Sequence, residues 1–297
     1  MDDQIQPAEF QDDAQEITSS SLTAPRMLRN PVMLLAFEGW NDAAEAATDA
    51  IDHLAEIWNA KAIIDIEAED YFDFQVTRPH LSTDGQGTRE IIWPSTSISL
   101  ALMPRADYDI VLVRGVEPNL KWRTFSQEVV AAARELKVTM AIGIGALLSD
   151  NAHTRPFPIF ATTMSLDFPP LLNFTPSEYE GPTGILGVVL EALASNGVPA
   201  GSLWVQVPHY VAAAPCPKAT LALLSRLEEV LDIPVELADL TEAAAEWETD
   251  IDAMAEDDEE LSGYVKSLEE GNDENPEDSP ESIADEFERY LRRRNPN

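Results

Sequence analysis

Residues 32–66 read VMLLAFEGWNDAAEAATDAIDHLAEIWNAKAIIDI, and this stretch decides the fold. Val32-Met33-Leu34-Leu35-Ala36-Phe37 is a short apolar run with no polar alternation, as expected of a strand buried on both faces. Glu38-Gly39-Trp40-Asn41-Asp42 is a polar turn, in which Asn41 or Asp42 can cap the Ala-rich helix expected over Ala43–Trp58. Lys61–Ile66 reads as a second strand. A strand–helix–strand opening argues for a parallel sheet with a right-handed crossover.

The alternation continues. Strands are expected at Arg89–Trp93, Ser97–Leu102, Asp109–Arg114, Val138–Leu148, Phe157–Thr163 and Ser202–Val207, the first two as an antiparallel excursion. Helices are expected at Trp122–Leu136, Ile185–Ser195 and Lys218–Leu231. Pro169, Pro170 and Pro176 break regular structure, and Pro182 suits the first position of a helix. No internal repeat is evident. The expected fold class is therefore three-layer α/β/α with a mixed, mostly parallel sheet. The divisions read as a disordered tail over 1–25, a core over 26–235 and an acidic helical extension over 236–297. That extension reads as helical over Leu237–Leu268 with a break near Asp257. A linker at Asn272–Pro280 and a last helix, Ile283–Arg294, follow.

The chain has 297 residues and a formal charge of −35. Residues 236–289 hold 22 Asp or Glu against Lys266 and Arg289 alone. Such a balance opposes nucleic acid and anionic membranes, which need clustered Lys and Arg. A solvated acidic tail and a partner-binding tail both fit it. No apolar run approaches a membrane span, and the acidic start is unlike a secretory signal, so a cytoplasmic protein is expected. One cysteine, Cys216, excludes an internal disulfide; between Pro215 and Pro217 it reads as a structural thiol. The four histidines, His53, His80, His153 and His209, lack ligand spacing. No metal and no cofactor is expected.

Asp150-Asn151-Ala152-His153-Thr154-Arg155 follows the run Val138–Leu148, where strand ends of α/β sheets usually place ligands. His153 could act as acid or base, Arg155 as an anion clamp, and Asp150 could orient the imidazole. A loop-ordering network is the competing reading. His209, after another strand end, could approach the same crevice. Residues 156–217 contain no Lys or Arg, so an anion site would draw on Arg78, Arg89 or Arg114. Gly143-x-Gly145 lacks the third glycine of a dinucleotide loop, so close sheet packing explains it better. Gly181-Pro182-Thr183-Gly184 before a helix is either a turn or an anion contact. Gly-x-Ser-x-Gly is absent.

Six motifs in order resemble one family. They are Gly39-Trp40-Asn41-Asp42-Ala43; Arg78-Pro79 with Arg89 and Trp93-Pro94; Gly115-Val116-Glu117-Pro118 with Trp122 and Phe125; His153-Thr154-Arg155-Pro156; Gly181-Pro182-Thr183-Gly184-Ile185; and Ser202-Leu203-Trp204 with Pro208-His209-Tyr210. Over about residues 30–232 the chain resembles the proteasome assembly chaperone 2 family in its actinobacterial form. The resemblance implies a fold similar to the phosphorylase/hydrolase-like fold and a homo-oligomer, a trimer being one option. Eukaryotic relatives help assemble proteasome α-rings. Archaeal relatives that touch the proteasome end in hydrophobic-Tyr-x, whereas Tyr290 here is followed by seven further residues.

Two functions are therefore weighed. The first is a non-catalytic assembly or interaction protein, favoured because no catalytic constellation is complete. The second is a small-molecule binding protein or a hydrolase or phosphorylase, with a polar pocket built from Asn41, Asp42, Arg78, Arg89, Glu117, His153, Arg155, Gly181, Thr183, Gly184 and His209.

Overall fold

The computed structural model describes residues 28–83, 85, 87–165, 167–169 and 174–272. The tail over 1–25, the stretch beyond Asn272 and the helix expected at Ile283–Arg294 lie outside the described residues. The apolar runs become strands β1 (Val32–Glu38), β6 (Ile110–Val116), β7 (Met140–Ser149) and β10 (Ala200–Pro208). These four lie side by side and parallel in the order β6-β1-β7-β10.

Side chains of β1 alternate between two cores. Leu34 and Ala36 join one core, with Ile51 and Leu54 of α1 (Ala46–Ile57) and Leu223 and Leu227 of α4 (Pro217–Leu231). Met33, Leu35 and Phe37 join the other, with Val129 of α2 (Trp122–Glu135) and Leu186 and Leu190 of α3 (Ile185–Ser195). The result is the expected three-layer arrangement around a mixed, mostly parallel sheet.

The full sheet has eight strands, ordered β2-β5-β6-β1-β7-β10-β8-β9, with β2 (Lys61–Ile66), β5 (Thr96–Ala101), β8 (Ile159–Thr163) and β9 (Thr175–Pro176) at its edges. The opening crossover does not land beside β1. It carries the chain to the sheet edge, where β2 pairs antiparallel with β5. The antiparallel excursion is split as well: β5 joins the main sheet, whereas β4 (Arg89–Ile92) pairs with β3 (His80–Thr83) in a separate ribbon. Pro182 is not the first residue of α3, because Gly184 is the N-cap residue and the helix opens at Ile185.

Helices α5 (Leu240–Asp257) and α6 (Glu259–Asn272) break at Asp258 and fold back onto the body. Ala244, Ile251 and Ala255 of α5 are buried, and Trp247 meets Phe157 edge-on at 6.1 Å. Among the described residues no helix is long and apolar enough to cross a membrane.

The two glycines of β7 are packing devices, as the weak nucleotide pattern implied. A Cβ at Gly143 would stand 2.6 Å from Leu190 Cδ1 of α3, and one at Gly145 only 2.4 Å from the Trp204 ring of β10. Gly143→Val should therefore cost ~1–3 kcal/mol through overpacking, read as a lowered urea midpoint with an unchanged m-value.

Candidate functional site

The carboxyl ends of β6, β1, β7 and β10 bring Glu117, Asn41 and Asp42, Asp150 and His153, and His209 to one edge of the sheet. There the candidates divide into two clusters rather than one pocket.

The first cluster joins β1, β6 and α3. Ile185 N–H donates to Glu117 Oε1 at 2.8 Å, so a carboxylate already occupies the start of α3, where the helix dipole favours negative charge. The Asn41 side-chain oxygen crowds Gly184: a Cβ there would lie 1.9 Å from Asn41 Oδ1. That oxygen is buried and accepts no hydrogen bond among the described residues. Gly181 and Thr183 are exposed, and the Tyr179 hydroxyl donates to the Pro182 carbonyl beside them. Arg114 is spent on ion pairs to Glu38 at 2.6 Å and Asp52 at 3.1 Å.

Asp42 is a cap. Its carboxylate accepts from Ala47 N–H at 2.7 Å, from Thr48 N–H at 3.2 Å and from the Thr48 hydroxyl. A 3₁₀ turn with Ala44 and Glu45 at positive φ precedes α1, so the α-helix begins at Ala46 rather than Ala43. Burial pushes the Asp42 carboxyl up to about 6, against the pull of its three hydrogen bonds.

The second cluster sits on the ends of β7 and β10 and is closed by the acidic helices. His153 is 1 % exposed. Its backbone N–H donates to the Tyr210 hydroxyl at 2.7 Å, and its Nδ1 lies 2.8 Å from that same oxygen. Burial pushes the Tyr210 hydroxyl up to about 12, so it stays a phenol. On the other side of the ring, His153 Nε2 lies within hydrogen-bond distance of Asp252 Oδ1 of α5, at 3.1 Å. Asp150 does not orient His153. It accepts from the Tyr264 hydroxyl of α6 at 2.7 Å and lies 2.9 Å from His209 Nδ1. Sequence placed the orienting carboxylate three residues away; the fold supplies it from Asp252, in the acidic tail.

Lys218 ties the rest together. Its ammonium donates to the His153 carbonyl and to Glu248 of α5, both at 2.5 Å, and stands 5.3 Å over the Phe157 ring. The Thr154 hydroxyl donates to Glu269 of α6 at 2.5 Å. Arg155 is exposed beside this network. Arg78 and Arg89 belong to neither cluster; both are exposed, Arg89 on β4 of the separate ribbon.

Lys218, Tyr210, Asp252, Tyr264 and Glu269 were missed as functional residues. Their one legible signal was the spacing of Ala244, Trp247, Ile251 and Ala255, a helical stripe that needs something to pack on. Burial pushes the Cys216 thiol up to about 11, so it carries no thiolate at neutral pH. Among the described residues no three His, Cys, Asp or Glu side chains gather as metal ligands.

A family model described as the PAC2 family matches residues 36–255. The chain belongs to the PAC2 family. A PAC2 family protein from Streptomyces avermitilis MA is 47% identical, with a TM-score of 0.73 over 79% of this chain and 99% of that one. The Mycobacterium tuberculosis proteasome-assembly chaperone homologue Rv2125 is 46% identical, with a TM-score of 0.71 over 79% and 99% of the two chains. Pyrococcus furiosus PbaB, an archaeal proteasome activator, shares the fold at 14% identity, with a TM-score of 0.62 over 77% of this chain and 95% of that one. A comparison with curated proteins gave no match. The PAC2 match reaches into α5, the helix that supplies Asp252.

Two outcomes follow for the PAC2 edge. Tyr210→Phe leaves the buried N–H and Nδ1 of His153 without their shared partner, so it should cost ~1–3 kcal/mol and speed amide exchange across α5. Asp42 holds its proton more tightly folded than unfolded, so it favours the folded state at low pH, and that contribution is lost as pH rises through about 6. The stability advantage of the wild type over Asp42→Ala should therefore shrink, by on the order of 2–3 kcal/mol, between pH 4 and 7 in urea titrations.

Proposed function

We propose that this PAC2 protein is a non-catalytic assembly or interaction protein that self-associates and binds a protein partner in the cytoplasm. The observation that carries the reading is His153. The imidazole that an enzyme would need is 1 % exposed, with both ring nitrogens engaged by Tyr210 and Asp252. A general acid or base must reach its substrate within hydrogen-bond distance, and here α5 stands in that place.

The M. tuberculosis relative, described as a proteasome-assembly chaperone homologue at 46% identity, supports assembly as the theme. The single cysteine is buried and unpaired, in keeping with a reducing compartment. A charge of −35 keeps phosphate-bearing partners away. One observation favours the alternative of a small ligand in a polar pocket: the buried, unsatisfied Asn41 oxygen beside Gly184 and Glu117.

Native mass spectrometry of the protein purified gently from its own cells tests the reading. The expected result is a retained protein partner, with no added mass on the isolated chain. A stoichiometric small molecule that Asn41→Ala releases would overturn it in favour of the pocket.

A further inference from the structure

Helix α5 is held together from outside rather than from within. Its 18 residues carry seven acids and no Lys or Arg. Six of the seven form two ladders at four-residue spacing: Glu242, Glu246 and Asp250 make one, and Glu248, Asp252 and Glu256 the other. Like charges so placed on a helix repel. Glu256 and Asp257 also stand in the last turn, where the helix dipole disfavours an anion. At the other end the Asp239 side chain makes no capping hydrogen bond. Such a helix depends on tertiary contacts to persist.

Those contacts are the ones that close the second cluster: Glu248 with Lys218, Asp252 with His153, Trp247 against Phe157, and Glu269 and Tyr264 of α6 with Thr154 and Asp150. The charge balance opposes them. Residues 240–272 hold 12 Asp or Glu against Lys266 alone, over a body in which residues 28–239 hold 28 acids and 13 bases. The pair of helices also has places to turn. Ala238 lies in the left-handed region at φ 44° just before α5. Asp258 is extended between the helices, and its carboxylate accepts from Glu260 N–H at 2.9 Å and Leu261 N–H at 3.1 Å, so α6 keeps its own cap.

Salt acts on the two signs unequally. The screening length falls from about 30 Å at 0.01 M to about 3 Å at 1 M, and exposed charges feel it fully. Glu242, Glu246, Asp250, Asp252 and Glu256 are all exposed. The attractive Lys218–Glu248 pair is more enclosed, at 16% and 35% exposed, so salt weakens it less. Added salt therefore removes more repulsion than attraction.

We propose that α5 and α6 form an electrostatic strap over the strand-end edge, closed when salt screens its acids and lifting when it does not. Lifting uncovers Phe157, Tyr210, the Lys218 ammonium and the His153 ring while the sheet and its two cores stay intact. Nothing in this device depends on a partner, so it stands or falls on the isolated chain, separately from the assembly reading.

Hydrogen exchange of the full-length protein, followed by mass spectrometry at pH 7 in 10 mM and 500 mM NaCl, tests the strap. A second sample carries Glu242→Gln/Glu246→Gln/Asp250→Asn, three exposed positions outside the contacts above. In the wild type, amides of α5 and α6 should exchange on the order of 10-fold faster at 10 mM than at 500 mM, while those of α2 change little. The substituted protein should exchange slowly in α5 at both salt concentrations. Wild-type α5 amides that ignore salt, or that exchange faster at 500 mM, overturn the proposal. So do α5 amides that follow α2 in step, because they then open only when the whole molecule does. A substituted protein that keeps the full salt response overturns the acid ladders as its cause. The wild-type measurement needs no substitution, so a folding defect in the variant cannot hide the outcome.

Discussion

Everything in this molecule hangs on the burial of β7. It is flanked by β1 and β10, and its side chains enter both cores, so its backbone has no route to water. Such a strand is tolerated only when every ladder hydrogen bond is made and both faces are filled. Gly143 and Gly145 meet the second condition by omission. They leave room for Leu190 of α3 and for the Trp204 ring, and so set how closely a helix and a neighbouring strand can approach. The strand then runs straight into the loop that carries Asp150 and His153, so the position of the polar edge follows from the packing of its core.

At that edge the acidic helices act as part of the body. The contacts that hold them are few and directional: Asp252 to His153, Glu248 to Lys218, Glu269 to Thr154 and Tyr264 to Asp150. Most of the acidic side chains of α5 and α6 remain exposed and repel one another. The apolar stripe of α5 against Phe157 and its neighbours supplies the non-directional attraction, and the polar contacts set the register of the helix on its seat.

The fold class and the strands near the chain's centre were legible because fully buried strands leave continuous apolar runs, as at residues 32–37 and 138–148. The structural use of Gly143 and Gly145 was legible for the same reason, since nothing else in the run matched a phosphate loop. The neighbour of β2 was not legible. A crossover fixes the direction of a strand but not how many places away it lands. The ribbon was only half legible, because Arg89–Trp93 read as strand while its partner His80–Thr83 was not among the expected strands; pairing them needs the register. The partners of His153 were hidden by distance, since Asp252 lies 99 positions along the chain, in a segment whose charge argued for solvent.

The strand order also dictates a timetable for synthesis. β1 is among the first elements made, yet its two neighbours are β6 and β7, and the right-hand neighbour of β7 is not complete until residue 208. On the ribosome, β2, β5, β6 and β1 can assemble first as a four-stranded half-sheet whose open edge is β1, a buried strand in the finished molecule. That edge stays available for mispairing until β7 emerges. The acidic helices come later still, so the growing chain presents a polar strand edge with an unshielded His153 before its cover exists.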